Sequence, residues 1–220
     1  MSPGPTRRLR ADAARNSEKI VRAAREVYAE SGPDASLDDI ARRAGVGIAT
    51  LYRRFATKED LVKAALEQSI AEQLQPAIDQ ALTDDNPLHG LGAVLRATLS
   101  LVAREHHTLA AADRSGALTA EITASYLDSL TLLTHRAQEA GLVRADVVPD
   151  DLHKIMGMLI SLLWSTSSEG GGGSEGGAEA GPEGWSRYVT LVLDGLSPLG
   201  ATPLPPLVPG WECRGGTRGG

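Results

Sequence analysis

Aromatic residues and cysteine are scarce in this chain of 220 residues. Aromatic side chains make up only 4% of it, so Ala, Leu and Val must build most of the core. Such a composition favours packed helices over a β-sandwich, which uses more aromatic and β-branched residues. The single cysteine, Cys213, has no partner for an intramolecular disulfide, which argues against a disulfide-stabilised secreted domain.

Long apolar runs are also lacking. No window of about 18 residues is continuously apolar, which argues against a transmembrane helix. The N-terminal segment carries arginines with no apolar stretch behind them, so it does not have the pattern of a signal peptide. The sequence therefore predicts a soluble cytoplasmic protein that has no membrane partner.

Charge is divided unevenly along the chain, although the net charge is only -6. Residues 1–58 contain 12 Lys and Arg against 7 Asp and Glu, whereas residues 59–220 contain 10 against 21. A basic N-terminal region followed by an acidic body is typical of a nucleic-acid-binding protein with a separate second domain. A chance fluctuation along a solvated surface is the alternative explanation.

Apolar residues recur at helical spacing through most of the chain, and no convincing strand pattern is present. We therefore predict an all-α fold of about nine helices, with an N-terminal three-helix domain and a C-terminal helical domain. Gly-rich and Pro-rich segments suggest where the chain is irregular. The predicted units are a disordered basic arm (1–15), a helix-turn-helix domain (16–62), a C-terminal domain (63–197) with a flexible loop (168–183), and a disordered tail (198–220).

The stretch LDDIARRAGVGIATLYRRF, residues 37–55, interrupts a helical pattern and resumes it at once. Ala41 is small enough to lie where two helices cross, and Gly45 tolerates the positive φ that a tight turn requires. Val46 and Leu51 can pack below and above that turn. The pattern predicts a helix-turn-helix.

The second helix of this motif leaves several polar side chains with some exposure. Arginine is well suited to contact guanine, and Tyr and Thr hydroxyls donate to phosphate, so the helix fits a DNA major groove about 12 Å wide. An ordinary helical hairpin with solvated arginines is the alternative. The exposed set is Gly47, Ile48, Thr50, Tyr52, Arg53 and Arg54.

Residues 15–62 resemble the DNA-binding domain of the TetR family of bacterial transcriptional regulators. The resemblance is carried by RAAREVYAESG, SLDDIARRAGVGIATLYRRF and TKEDLV, with their Gly-Val-x-x-x-x-Leu-Tyr-x-x-Phe frame. The N-terminal arm and the style of the remaining chain resemble actinobacterial members. The resemblance implies a homodimer, a palindromic double-stranded operator and a C-terminal domain that receives a small effector.

Individual roles follow from this resemblance. Tyr52 and Lys58 are expected to contact phosphates, Ser36 to cap a helix beside the DNA backbone, and Thr50 and Arg53 to contact base edges. Asp38 departs from relatives that place a base-contacting arginine there. The full set expected at the DNA is Arg7, Arg8, Arg10, Ser36, Gly47, Thr50, Tyr52, Arg53, Arg54 and Lys58.

The resemblance also implies a ligand pocket and a dimer interface in the C-terminal domain. A small, largely apolar effector is expected to release a repressor from its operator, and the acidic surroundings mildly favour a neutral or cationic molecule. The expected pocket residues are Leu99, Val102, His106, Tyr126, Leu130, His135, Met156 and Trp164. The last two helices are expected to pair with their symmetry mates through Leu152, Ile155, Leu159, Leu162, Leu163, Trp185, Tyr188, Val192 and Leu196.

An alternative is a small helical enzyme or metal-binding protein without a DNA function. That alternative requires a reactive or metal-ligating constellation, and the sequence shows none. His106 and His107 are adjacent, so on a helix they point about 100° apart and cannot chelate as an i, i+4 pair can. We therefore expect no catalytic residues, no metal and no cofactor.

Overall fold

The computed structural model describes residues 5–168 and 182–206. Those residues form ten helices and no strand, which confirms the predicted all-α fold. None of the described helices is long and apolar enough to cross a membrane. The helices are α1 Pro5–Ser31, α2 Leu37–Ala44, α3 Ile48–Arg54, α4 Lys58–Gln73, α5 Gln75–Thr83, α6 Pro87–Arg104, α7 His106–Ser115, α8 Ala120–Glu139, α9 Pro149–Ser168 and α10 Pro182–Gly195.

The first helix begins earlier than predicted. We expected a disordered arm over residues 1–15 and a helix from about residue 16, whereas α1 already begins at Pro5. Proline suits the first turn of a helix, and the following Arg, Leu and Ala residues are good helix formers, so no stop signal precedes Asn16. The predicted disorder is therefore wrong for residues 5–15. The side chains of Arg7, Arg8 and Arg10 lie outside the described part of the chain.

A break separates α4 from α5. α4 ends at Gln73, and α5 begins after Leu74 with Pro76 in its first turn. Proline has no backbone N–H to continue the hydrogen-bond pattern and its ring crowds the preceding turn, so the break falls there. α5, which was not predicted, brings the described residues from the predicted nine helices to ten.

Two segments predicted to be irregular are described in part. α9 runs to Ser168 and α10 begins at Pro182, so only residues 169–181 of the predicted loop lie outside the description. Residues 198–206 of the predicted disordered tail are exposed and form no helix or strand, but the backbone N–H of Leu204 donates to Asp146 Oδ2 at 2.9 Å. Disorder of the tail stays a prediction, and residues 207–220 lie outside the description.

The buried core extends through both domains, and α4 belongs to both. Leu61, Val62 and Leu66 of α4 are all buried, and α4 contacts α1 as well as α5, α6 and α7. Within the C-terminal domain, α5 and α6 pack very closely. A Cβ atom on Gly90 would lie 2.8 Å from the carbonyl oxygen of Ala81, so only glycine allows this approach.

Candidate DNA-binding surface and interior cavity

The turn between α2 and α3 has the predicted geometry. Gly45 adopts φ 67° and ψ 32°, in the left-handed region that favours glycine, and its N–H donates back to α2. Ser36 caps α2, because its hydroxyl accepts a hydrogen bond from the Asp39 N–H at 3.1 Å. Leu51 is fully buried and Ala41 is almost so, which fixes α3 against α2. The helix-turn-helix prediction is therefore confirmed.

Most of the predicted α3 side chains lie on the outside of the motif. Gly47, Arg53 and Arg54 are exposed, Tyr52 is 51% exposed, and Thr50 is half-buried. Neither arginine forms an ion pair with another described residue. An unpaired guanidinium keeps all its donors available for phosphates or base edges. These side chains together form the candidate DNA-binding surface.

The arginines of α2 are already engaged within the protein. Arg43 donates to Glu30 at 2.9 Å and to Glu26 at 3.3 Å, and Arg42 forms an ion pair with Asp39. The hydrogen bond from Arg43 lowers the pKa of Glu30. Because these pairs neutralise their own charge, α3 provides most of the field that a phosphate backbone would meet from this motif.

Lys58 lies where predicted, at the start of α4, but its ammonium group is directed into the domain. Its Nζ donates to the carbonyl oxygens of Ala35 at 3.1 Å and Pro33 at 3.4 Å, and lies 5.8 Å from the centre of the Tyr28 ring. The phosphate contact expected of Lys58 stays a prediction, although its ammonium group already makes a contact inside the domain. The sequence shows no signal for this contact, because it depends on the fold of the preceding loop.

A cavity of about 260 Å³ lies inside the C-terminal domain. α4 provides Leu66 and Ile70, α6 provides Thr98 and Val102, and the remaining walls come from α5, α7, α8 and α9. Among the predicted pocket residues, Val102, Tyr126 and Met156 line the cavity. Leu66 and Ile70 were not predicted, although their i, i+4 spacing on α4 is a signal that could have indicated them.

The other predicted pocket residues do not line this cavity. Leu99 and Leu130 are buried in the surrounding core, because helical periodicity cannot distinguish a core position from a cavity wall. His135 is exposed on α8, and His106 at the start of α7 is not among the lining residues. The histidine that borders the cavity is His153 on α9. The side chain of Trp164 lies outside the described part of the chain.

A polar network joins α1 to the helices around the cavity. Glu105, between α6 and α7, is only 7% exposed. Its carboxylate accepts hydrogen bonds from Arg25 of α1 at 2.8 and 3.2 Å, from Gln73 at 3.0 Å and from Thr108 at 3.1 Å. Arg25 also donates to Glu72 at 2.6 Å, which lowers the pKa of that carboxyl. We call these five residues the Arg25–Glu105 network.

The predicted dimer residues fall into two groups. Leu152, Trp185 and Leu196 are buried within the single chain, so their assignment to an exposed interface is corrected: they anchor α9 and α10 internally. Ile155, Leu159 and Val192 are half-buried and Tyr188 is 42% exposed, while the side chains of Leu162 and Leu163 lie outside the description. Among the described side chains of the two helices, the most exposed apolar ones are Met158 and Leu191 at 65% and 57%, which were not in the predicted set.

A helix-turn-helix with unpaired arginines on its second helix, joined to a helical domain that contains a cavity, defines a DNA-binding transcription regulator. Residues 20–65 match the family model of bacterial regulatory proteins of the tetR family. Residues 86–198 match the C-terminal domain of SbtR-like transcriptional regulators. The chain belongs to the TetR family, whose members are DNA-binding regulators of transcription and not enzymes. The enzyme alternative is therefore rejected.

Solved structures agree with this assignment. The TetR transcriptional regulator SCO0520 from Streptomyces coelicolor is 29% identical, with a TM-score of 0.57 over 83% of this chain and 99% of that one. A TetR regulator from Mycobacterium vanbaalenii is 30% identical, with a TM-score of 0.54 over 86% of this chain and 99% of that one.

A curated relative matches over the DNA-binding domain. The uncharacterized HTH-type transcriptional regulator TtgW of Pseudomonas putida is 41% identical over 61 residues, which is 27% of this chain. The match spans about half of that relative's length (46%). It therefore supports the DNA-binding domain alone.

Proposed function

We propose that this regulator is a repressor that binds a palindromic operator as a homodimer in the cytoplasm and is released by a small, largely apolar effector. The observation that carries this proposal is the course of α4. The helix begins at Lys58 beside the helix-turn-helix, contacts α1, and presents Leu66 and Ile70 to the cavity. A ligand in the cavity therefore touches the same rigid element that supports the DNA-binding domain.

Two further features support a ligand-dependent movement. The Arg25–Glu105 network ties α1 to the turn that follows the cavity wall of α6, so the two domains are connected at a second point. A displacement of either connection changes the angle of α3 relative to the C-terminal domain. Coupling of this kind is reciprocal: a ligand that weakens operator binding is itself bound less tightly by the DNA-bound protein.

Dimerisation is supported by the apolar face of α9 and α10 around Met158 and Leu191. Two α3 helices set about 34–36 Å apart reach successive major grooves on one side of the DNA, which a single short helix cannot do. Pairing of α9 and α10 with their symmetry mates would form a four-helix interface.

The relatives from Streptomyces and Mycobacterium are consistent with an actinobacterial origin.

At the DNA, we assign Tyr52 to a phosphate and Thr50 and Arg53 to base edges. Arg54, Gly47 and the N-terminal arginines add contacts to the backbone, and Lys58 can add one more, because an ammonium group has three donors and two are engaged within the protein. Affinity is then expected to fall steeply as salt rises, since each phosphate contact releases counterions.

A gel-shift titration tests the DNA-binding assignment. The labelled DNA is the segment upstream of the gene that encodes the chain, and the competitor is a shuffled segment of the same length. We expect Arg53→Ala to reduce discrimination between the two by roughly 1–3 kcal/mol. Arg104→Ala, which removes the same charge from an exposed position of the C-terminal domain, is the matched control. Unchanged discrimination in Arg53→Ala would exclude Arg53 from base contacts.

A further inference from the structure

The cavity is distinguished by the absence of charge from its walls. Within the described part of the chain, no Lys, Arg, Asp or Glu lines it, and most of the lining is aliphatic. The lining residues that can form side-chain hydrogen bonds are Gln75, Thr98, Thr123, Ser125, Tyr126 and His153. A buried ion needs an opposite charge or several hydrogen bonds in place of its water shell, and these walls offer no formal charge of their own for that purpose.

Tyr126 contributes a buried hydroxyl to the cavity wall. Its Oη is buried and forms no hydrogen bond of normal geometry with another described residue. Burial raises the pKa of Tyr126 to about 12, an effect that the neighbouring Thr98 side chain partly offsets, so the phenol keeps its proton. Buried hydroxyl groups are normally hydrogen-bonded, and an unpaired one in a cavity wall is suited to donate to a ligand oxygen.

We propose that the cavity binds an uncharged, largely aliphatic molecule that carries one oxygen acceptor, and that the Tyr126 hydroxyl donates to that oxygen. The inference rests on the proposed function, since it names the chemical class of the effector for the same site. Ketones, esters, lactones and ethers belong to this class, whereas carboxylates, phosphates and amines do not. The cavity volume of about 260 Å³ is slightly below that of typical ligand pockets, which is about 300–1,000 Å³. The ligand is therefore expected to be a small molecule.

The surroundings of the cavity reinforce the exclusion of anions. Residues 59–220 contain 21 Asp and Glu against 10 Lys and Arg, so the domain as a whole repels negative charge. Cations are not favoured either, because the buried carboxylate that follows the α6 wall is already occupied. Glu105 accepts hydrogen bonds from Arg25, Gln73 and Thr108. A neutral ligand is not repelled by the acidic domain and does not need a free carboxylate.

The first experiment compares two ligands of the same chain length that differ in charge. N-phenyl-1-naphthylamine, an uncharged dye that fluoresces in apolar sites, is bound to the full-length protein and displaced at pH 8 by 2-decanone or by decanoate. We expect 2-decanone to displace it at a concentration at least about ten-fold lower, because decanoate must lose the water around its carboxylate. Equal displacement by decanoate overturns the proposed ligand class, and failure of the dye to bind overturns the cavity as an apolar ligand site.

The second experiment tests the role of the tyrosine. Tyr126→Phe keeps the ring and removes only the hydroxyl, so we expect a roughly three- to ten-fold weaker displacement by 2-decanone with unchanged affinity for the dye, which carries no oxygen. Tyr28→Phe is the matched control, because it removes a buried hydroxyl from α1 that does not line the cavity, and we expect it to leave the affinity for 2-decanone intact. Unchanged 2-decanone affinity in Tyr126→Phe, or an equal loss of affinity in Tyr28→Phe, contradicts the proposal.

Operator binding separates this inference from the proposed function. If 2-decanone binds with the expected Tyr126 dependence but operator affinity does not change, the ligand class stands and the proposed transmission through α4 is wrong. If decanoate rather than 2-decanone displaces the dye and also weakens operator binding, the proposed function stands and the ligand class is wrong. Both measurements use the same full-length protein and the same upstream DNA.

Discussion

The DNA-binding surface on α3 and the apolar face on α9 and α10 use opposite chemistry. On α3, Arg53 and Arg54 are exposed and without ion pairs among the described residues, so they attract a polyanion from a distance. On α9 and α10, Met158 and Leu191 are exposed and apolar, so they stabilise only a partner that covers them. The charged surface can start an encounter with DNA, and the apolar face can fix the spacing of two copies.

The largest effect is expected from placing a charge on the apolar face. Leu191→Glu would bury a carboxylate at the proposed dimer interface, where it has no partner, so we expect monomers at micromolar concentration by light scattering. Specific operator binding should fall with it, although α3 is untouched. Thr190→Glu, at an exposed position about 100° around the same helix, is the control for added charge. A Leu191→Glu variant that remains dimeric would exclude this face as the interface.

The second prediction concerns the link between the two domains. Glu105→Ala leaves Arg25 mostly buried without its main partner, and breaking a buried pair of this kind costs about 3 kcal/mol. We expect the loss in the free energy of unfolding from urea titration. Glu121→Ala, which removes an exposed carboxylate paired with Lys63, should cost less than about 1 kcal/mol. Equal costs for the two variants would show that the Arg25–Glu105 network is not a structural link.

The two domains also differ in how much the sequence predicts. The helix-turn-helix could be predicted residue by residue, because Ser36 and Gly45 satisfy local backbone requirements that do not depend on distant parts of the chain. The cavity could be predicted only in part. Val102 and Met156 line it, but Leu99 has the same apolar character and is core, since the distinction depends on which helices pack nearby.

Some local environments could not be predicted for a related reason. Lys58 has the position and charge of a phosphate contact, yet the carbonyl groups it meets come from the loop before α2. The sequence of residues 1–15 likewise carries charge typical of a disordered arm, but its helix-forming residues continue α1. Charge and composition describe what a side chain can do, and the fold decides which neighbour it meets.

A smaller loss of stability is expected from Lys58→Ala. This variant tests whether Lys58 mainly stabilises the domain, whereas Arg54 mainly binds DNA. The change removes the hydrogen bonds to Ala35 and Pro33, so we expect a loss of about 1 kcal/mol in thermal or urea unfolding. Arg54→Ala removes an exposed cation that has no ion pair among the described residues, and it should weaken DNA binding without affecting stability. If Lys58→Ala weakens DNA binding as much as Arg54→Ala and leaves stability unchanged, Lys58 is a phosphate contact after all.

The smallest effect is expected where the C-terminal segment meets the domain. The hydrogen bond from Arg144, followed by that from the Leu204 N–H, lowers the pKa of Asp146. A carboxyl whose pKa is lowered by folding contributes stability above its ordinary pKa of about 4, and this contribution is lost as pH falls below that value. We expect the protection factor of the Leu204 amide, which donates to Asp146, to fall as the pH drops below about 4, and to be low already at pH 7 in Asp146→Asn. Asp150→Asn, on the exposed side of α9, should leave this exchange unchanged.

The uncharged walls of the cavity imply that operator binding and effector binding respond differently to ionic strength. Operator affinity falls steeply as salt rises, because phosphate contacts release counterions. The binding of a neutral molecule among Val102, Tyr126 and Met156 involves no counterion, so its affinity should be nearly independent of salt. At higher ionic strength the DNA complex is weaker while the effector binds as before. If an effector releases the operator as proposed, less of it should be needed at higher ionic strength, so that the ionic strength of the cell adjusts the threshold of the response.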